Sequence, residues 1–125
     1  MSEFLFFIYL ANAVVLINHE IDSAYWKEWE LFRLPGGIIG FLVLHFPLLA
    51  FVLYGLVLVR EGSRAGLWFS LALAGGGLFA WSIHTWFIRQ GREEFTTGIS
   101  RFILRATLVL SMIQLGVTVI LLFMT

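Results

Sequence analysis

The strongest constraint on this chain is a set of long apolar stretches. Three of them, at residues 38–59, 67–88 and 102–124, reach the roughly 20 apolar residues that a helix needs to cross the hydrocarbon core of a membrane. A fourth, at 4–18, is too short by itself. A cleaved signal peptide is one interpretation of it, but the leader Met-Ser-Glu lacks the usual positive charge. We expect this helix to continue to about Trp26, which gives spans at about 4–26, 38–59, 67–88 and 102–124.

The composition points the same way and excludes several classes of protein. Hydrophobic residues make up 60% of the 125 positions and charged residues 13%, whereas soluble domains carry about 25% charge. Eight basic and eight acidic residues cancel, so no basic field attracts nucleic acid. The absence of cysteine excludes disulfides, zinc–thiolate sites and iron–sulfur clusters. We therefore expect a single-domain integral membrane protein.

The connections between the spans are short, and the first has a distinctive composition. Residues 27–37 mix charges with aromatic residues and end in Pro35-Gly36-Gly37, which favours a turn. Trp26 and Trp29 suit the lipid headgroup level, so we expect an interfacial segment here. Short connections favour an antiparallel, all-α, four-helix transmembrane bundle.

Basic residues are distributed unequally between the two ends of this bundle. Most of them lie in or beside the first and third connections, and only Arg60 and Arg64 lie in the second. By the positive-inside rule, we expect a multi-pass protein of the cell membrane with both termini outside.

Polar residues recur at helical spacing within three of the spans. Such stripes are expected where helices converge on a shared interior, and small residues among them allow close approach. The stripes are Asn12, His19, Asp22, Trp26 and Trp29 in the first span, Ser70, Ala74, Gly77, Trp81 and His84 in the third, and Thr107, Ser111, Gln114 and Thr118 in the fourth.

All three histidines fall in the cytoplasmic half of the predicted bundle, together with most of the carboxylates. Ionisable residues inside a membrane must pair or face a cavity, so they are candidates for function. His19 and Asp22 form an i, i+3 pair, and histidine with carboxylate suits zinc, iron or manganese. The candidate metal ligands are His19, Asp22, Glu30, His45 and His84, and the surrounding polar cluster adds Glu20, Glu28 and Arg105.

Other interpretations of these residues stay open on sequence alone. His45 and His84 are predicted at similar heights on adjacent helices, as two axial ligands of a b-type haem would be. Glu20, Asp22 and the histidines also suit acid–base chemistry on a lipid-soluble substrate. Arg105 either reaches the headgroups or pairs with a carboxylate.

Two classes of function follow, and the sequence does not choose between them. The first is a cytoplasmic-side site that binds a divalent metal and binds, or acts on, a lipid-like molecule. The second is a non-enzymatic membrane subunit whose polar cluster fixes helix packing or docks a partner protein. In either class the membrane lipid is a partner, no nucleic acid is expected, and a homo-oligomer is compatible with the small-residue stripes.

One segment of the chain carries a resemblance to a known family. Residues 19–32, His-Glu-Ile-Asp-Ser-Ala-Tyr-Trp-Lys-Glu-Trp-Glu-Leu-Phe, are followed by Leu-Pro-Gly-Gly at 34–37. This pattern resembles the signature of a small, uncharacterised bacterial family of four-span membrane proteins. The resemblance implies no activity, and it marks residues 19–37 as the segment to test.

Overall fold

The computed structural model describes residues 2–125, in which every regular secondary-structure element is a helix. The elements in chain order are α1 (Glu3–Tyr25), α2 (Glu28–Leu31), α3 (Gly37–Arg60), α4 (Arg64–Arg89) and α5 (Gly98–Met124). All except α2 are long and apolar enough to cross a membrane. The predicted all-α bundle is therefore confirmed, and the four long helices are consistent with a multi-pass membrane protein.

Local sequence signals explain where the helices begin. The hydroxyls of Ser2, Ser63 and Thr97 accept hydrogen bonds from the backbone N–H groups at the starts of α1, α4 and α5, as N-cap residues do. Gly36 precedes α3 with φ 98°, a left-handed conformation that glycine adopts without steric cost. The Pro35-Gly36 pair therefore turns the chain into its second span.

The four long helices form an up-down bundle in which neighbours in the chain are also neighbours in space. Helix α5 packs on α4 and α1, and α3 packs on α4 and α1, so α1 and α4 lie on the diagonal. Gly77 of α4 sits directly against Ser111 of α5, and the missing side chain lets these two helices approach closely. Short connections fix this order, because they leave each helix antiparallel to the next.

Polar side chains fill the middle of this bundle. Asn12 Nδ2 donates to Ser111 Oγ at 3.1 Å and to Gln114 Oε1 at 2.9 Å. Gln114 Nε2 in turn donates to the carbonyl oxygen and hydroxyl of Ser70, both at 3.0 Å. The Ser70 hydroxyl lies 2.8 Å from that of Thr118. This network joins α1, α4 and α5, and the predicted stripes of α4 and α5 thus face the interior.

Large apolar side chains cover the outside instead. Ile39, Phe46 and Phe123 are 73%, 79% and 89% exposed, whereas Asn12 and Gln114 are at most 1% exposed. A soluble protein rarely exposes such extensive apolar surface. A transmembrane helix does so because the surrounding lipid is apolar. The burial pattern therefore independently supports a membrane location.

Helix α1 ends earlier than the phase of its polar stripe predicts. The stripe was expected to run through Trp29, but α1 stops at Tyr25 and Lys27 adopts a left-handed φ of 54°. The chain changes direction there, so Trp29 and Glu30 belong to α2 and do not continue the face that carries Asn12 and His19. Helical spacing predicts a shared face only for residues of one continuous helix.

Candidate functional site

Two histidines from diagonally opposite helices meet at the end of the bundle near α2. His19 comes from the last third of α1 and His84 from the last two turns of α4. Their ring centroids lie 4.9 Å apart, and each residue is only 2% exposed. The two imidazoles therefore share one buried space at the centre of the bundle.

Glu28 brings a carboxylate to this space from α2. Its Oε2 atom lies 3.1 Å from His84 Nε2, and the Ser23 hydroxyl donates to the same oxygen at 2.8 Å. Burial raises the pKa of Glu28, but the hydrogen bonds from His84 and Ser23 and the charges of the histidines outweigh it. The pKa of this carboxyl therefore lies below its ordinary value, and the ionised form is favoured.

Phe95 closes the space from the connection between α4 and α5. Its ring centroid lies 4.0 Å from that of His84 and 5.4 Å from that of His19, and the residue is 1% exposed. Its φ of 66° is unusual for a bulky side chain. Sequence reasoning missed Phe95. The available signal was a large apolar residue alone in the polar stretch 89–98.

Each of the two histidines has one buried nitrogen atom without a partner. His19 Nδ1 and His84 Nδ1 are buried and have no hydrogen bond within the described chain, an arrangement that costs free energy unless a ligand satisfies them. One potential ligand atom from each of His19, Glu28 and His84 lies within 4.8 Å of the others. Two imidazoles and one carboxylate form a known donor set for zinc and for non-haem iron. We call these three residues the His-Glu-His group.

The third histidine belongs to a separate pair. His45 Nε2 lies 2.6 Å from Glu20 Oε2, and His45 Nδ1 lies 2.6 Å from the carbonyl oxygen of Phe41. Because a carbonyl only accepts hydrogen bonds, Nδ1 carries a proton, and a second proton is shared between Nε2 and the carboxyl of Glu20. A metal or haem at His45 would have to break one of these bonds.

The remaining predicted ligands are not brought into the His-Glu-His group. Asp22 is half-buried and its Oδ2 atom has no hydrogen-bond partner, whereas Glu30 is exposed on α2. Arg105 is also exposed on α5, and within residues 2–125 it forms no salt bridge to either carboxylate. Glu28, predicted only as part of the polar cluster, supplies the carboxylate instead.

The two predicted interfacial tryptophans are half-buried and make specific contacts. Trp26 Nε1 donates to Ser100 Oγ at 3.2 Å, which ties the end of α1 to the start of α5. The Trp29 ring lies 5.4 Å from that of Phe41, which ties α2 to α3. Both side chains therefore hold the segment that carries Glu28 in place.

A cavity of about 190 Å³ opens from the His-Glu-His group toward α3 and α4. Glu20 and the three residues of the group lie on its wall, and the rest of the wall is mainly apolar. Gly76 also lines it, and a Cβ atom added there would meet no other atom within 4 Å. The apolar lining residues are Leu16, Phe32, Leu48, Phe51, Val52, Ala72, Leu73, Phe79, Ala80 and Ile83.

Comparison with known proteins agrees with the resemblance seen in the sequence. Neither the curated proteins nor the solved structures give a significant match. A model of a family of unknown function, DUF6713, matches residues 5–121, which include nearly all of the four long helices and the whole His-Glu-His group. The chain therefore belongs to the family of unknown function DUF6713.

Proposed function

We propose that this protein binds one divalent metal ion through His19, Glu28 and His84. The observation that carries the proposal is the convergence of three ligand atoms within 4.8 Å in a space where both histidines are 2% exposed. Buried imidazoles with unpartnered nitrogens are costly in an apolar interior. Coordination of a metal would satisfy them, and the carboxylate would offset part of its charge.

Zinc and iron(II) are the ions that this donor set favours, with manganese a further candidate. Three protein ligands leave a coordination position open, as catalytic rather than structural zinc sites do. The Ser23 hydroxyl on Glu28 is the type of outer partner that orients a ligating carboxylate. An open position beside the cavity would give the metal access to a bound molecule.

The molecule that fits this cavity is lipid-like. Its wall is apolar except at the end formed by Glu20 and the His-Glu-His group, so an apolar chain would lie along α3 and α4 with its polar end at the metal. The surrounding bilayer supplies such molecules directly. Glu20 lies on the same wall and is paired with His45, so its carboxyl would add a proton donor or acceptor for acid–base chemistry on the polar end.

We place the site at the cytoplasmic face of the cell membrane, with both termini outside. Arg33, Arg89, Arg92 and Arg101 lie at the end of the bundle that carries the His-Glu-His group, whereas Arg60 and Arg64 mark the opposite end. The positive-inside rule supports this orientation.

A second function is favoured by a different observation. The His84–Glu28 contact links α4 to α2, and the Asn12–Gln114 hydrogen bond links α1 to α5. Such links are expected in a non-enzymatic subunit whose polar groups fix packing or dock a partner protein. In that case the group would need no metal.

Metal content distinguishes the two functions. The protein is purified in detergent, exposed separately to Zn²⁺, Fe²⁺ and Mn²⁺, desalted and analysed for bound metal. We expect about one retained ion per chain in the wild type and little or none in His19→Ala, His84→Asn and Glu28→Gln, because each variant removes one of the three ligands. His45→Gln is the matched control, because it removes a histidine that lies outside the group.

Two results would overturn the metal proposal. One is a wild type that retains none of the three ions, and the other is equal retention by wild type and all three variants. A thermal unfolding transition in each variant shows that the variant is folded. Glu28→Gln keeps the shape of the side chain, so it perturbs the fold least of the three.

A further inference from the structure

A second cavity, of about 310 Å³, lies between α4 and α5. It shares no residue with the His-Glu-His group but occupies the same end of the bundle. Three of its seven lining residues are arginines. The lining residues are Trp81, Thr85, Ile88, Arg89, Arg101, Leu104 and Arg105, and we call this cavity the arginine pocket.

The positive charges of the pocket are not compensated by the protein. Arg101 and Arg105 are one helical turn apart on α5, a spacing at which like charges destabilise a helix. No carboxylate lines the pocket, and no salt bridge within residues 2–125 involves its arginines. By contrast, Arg92, three positions after Arg89, pairs with Glu94 at 2.6 Å. An anionic ligand would supply the missing charge.

The guanidinium groups have free donors for such a ligand. Arg101 Nε donates to the carbonyl oxygen of Thr96 at 3.1 Å, which holds the side chain while its other N–H groups stay free for a ligand. Arg105 and Arg89 are exposed, and Thr85 adds a hydroxyl. Guanidinium groups match the oxygens of phosphate with paired hydrogen bonds, so phosphate is the anion that this set recognises best.

The position of the pocket favours the phosphate of a lipid headgroup over free phosphate. Arg89 is the last residue of α4, and Arg101 lies in the first turn of α5. We therefore expect these two guanidinium groups at the level of the lipid headgroups, where the ends of transmembrane helices lie. Ile88 and Leu104 provide apolar surface beside the arginines. Basic pockets between transmembrane helices are a recurrent mode of anionic lipid recognition. We infer that the arginine pocket binds the phosphate of an anionic phospholipid, with an acyl chain against Ile88 and Leu104.

The test measures lipid bound to the intact protein. The full chain in detergent is titrated with phosphatidylglycerol or with phosphatidylcholine, and bound lipid is counted by native mass spectrometry. We expect phosphatidylglycerol to bind more tightly than phosphatidylcholine. In the double variant R101Q/R105Q its affinity falls roughly tenfold or more, because each arginine near the surface strengthens binding to anionic lipid by about 1 kcal/mol.

The opposite end of the bundle offers a matched control. The double variant R60Q/R64Q removes the same charge at exposed positions, where Arg60 lies over the ring of Phe6 and Arg64 donates to Thr125. We expect this variant to bind phosphatidylglycerol as the wild type does. A thermal unfolding transition checks that both double variants are folded. If R101Q/R105Q does not fold, the single variant Arg105→Gln is used in its place.

Three results would overturn the inference. Unchanged affinity in R101Q/R105Q would exclude the pocket, and an equal loss in both double variants would show only a general effect of net charge. Inorganic phosphate provides the third comparison. If it binds as tightly as phosphatidylglycerol, or displaces that lipid at equal concentration, the ligand is free phosphate and not a lipid.

Discussion

The rings of His84 and Phe95 lie in contact, with their centroids 4.0 Å apart, although the two residues belong to different structural elements. His84 is on α4, and Phe95 is in the following connection with a left-handed backbone. Phe95 also contacts His19. It therefore covers the two histidines on the side of the connection between α4 and α5.

Phe95→Ala should destabilise the protein by about 3 kcal/mol, because removal of a buried phenylalanine side chain leaves a cavity. The side chain is 1% exposed. Phe95→Leu should cost less, since it keeps most of the apolar volume. Reversible unfolding in a mixed detergent measures both. Phe46→Ala is the control, because Phe46 is 79% exposed and should change stability little. Equal effects of Phe95→Ala and Phe46→Ala would contradict the stabilising role of the buried Phe95 side chain.

Glu28 should make the stability of the protein depend on acidic pH. Its folded pKa lies below the ordinary value, so the carboxylate stabilises the folded state above about pH 4.3, the unfolded pKa. That contribution is lost as the pH falls through the folded pKa. The decrease in melting temperature between pH 6 and pH 3 should therefore be smaller in Glu28→Gln than in wild type. Glu30→Gln, exposed on the same helix, should behave like wild type; the same decrease in all three would contradict the role of Glu28.

Filling the apolar cavity should block the proposed lipid-like ligand. A Cβ atom added at Gly75 or at Gly76 would meet no other atom within 4 Å. Gly76 lines the cavity, whereas the adjacent Gly75 does not. Both substitutions replace a helical glycine and should be tolerated by α4. Gly76→Leu should weaken binding of a fluorescent polyene fatty acid about tenfold, and Gly75→Leu should leave it unchanged. Unchanged binding in Gly76→Leu would place the probe elsewhere.

The network in the middle of the bundle should contribute modestly to stability. Hydrogen bonds between transmembrane helices contribute about 0.6 kcal/mol on average and at most about 1.7 kcal/mol. Gln114 participates in three of them, with Asn12 and Ser70, so Gln114→Leu should cost about 1–2 kcal/mol. Asn18→Leu should cost less, because Asn18 bonds only to Val14 of its own helix. Equal costs would show that the network does not hold the helices together.

Much of the fold follows from the sequence because apolar runs and helical spacing determine it. The interior positions of Ser70, Gln114 and Thr118 were predicted from spacing alone, and the structure buries all three completely. Spacing works here because α4 and α5 are continuous helices, in which a residue's position fixes the face it occupies.

The site was predicted only in part, and the reason is local. The sequence indicated that His19 and His84 share one half of the bundle, but it favoured Asp22 and Glu30 over Glu28 as carboxylate ligands. The left-handed turn at Lys27 redirects the chain, so Glu28 points back to His84 while Glu30 is exposed. No periodic pattern predicts such a turn at a lysine. The bacterial origin implied by the resemblance stays a prediction.

X-ray absorption spectroscopy of the metal-loaded protein tests the metal proposal most directly. For zinc, we predict two imidazole nitrogens at about 2.0–2.1 Å and one carboxylate oxygen at about 2.0–2.2 Å. His84→Asn should remove one imidazole from the spectrum, and His45→Gln should leave both. A spectrum without imidazole ligands, or one that loses an imidazole in His45→Gln but not in His84→Asn, would contradict metal binding by His19, Glu28 and His84.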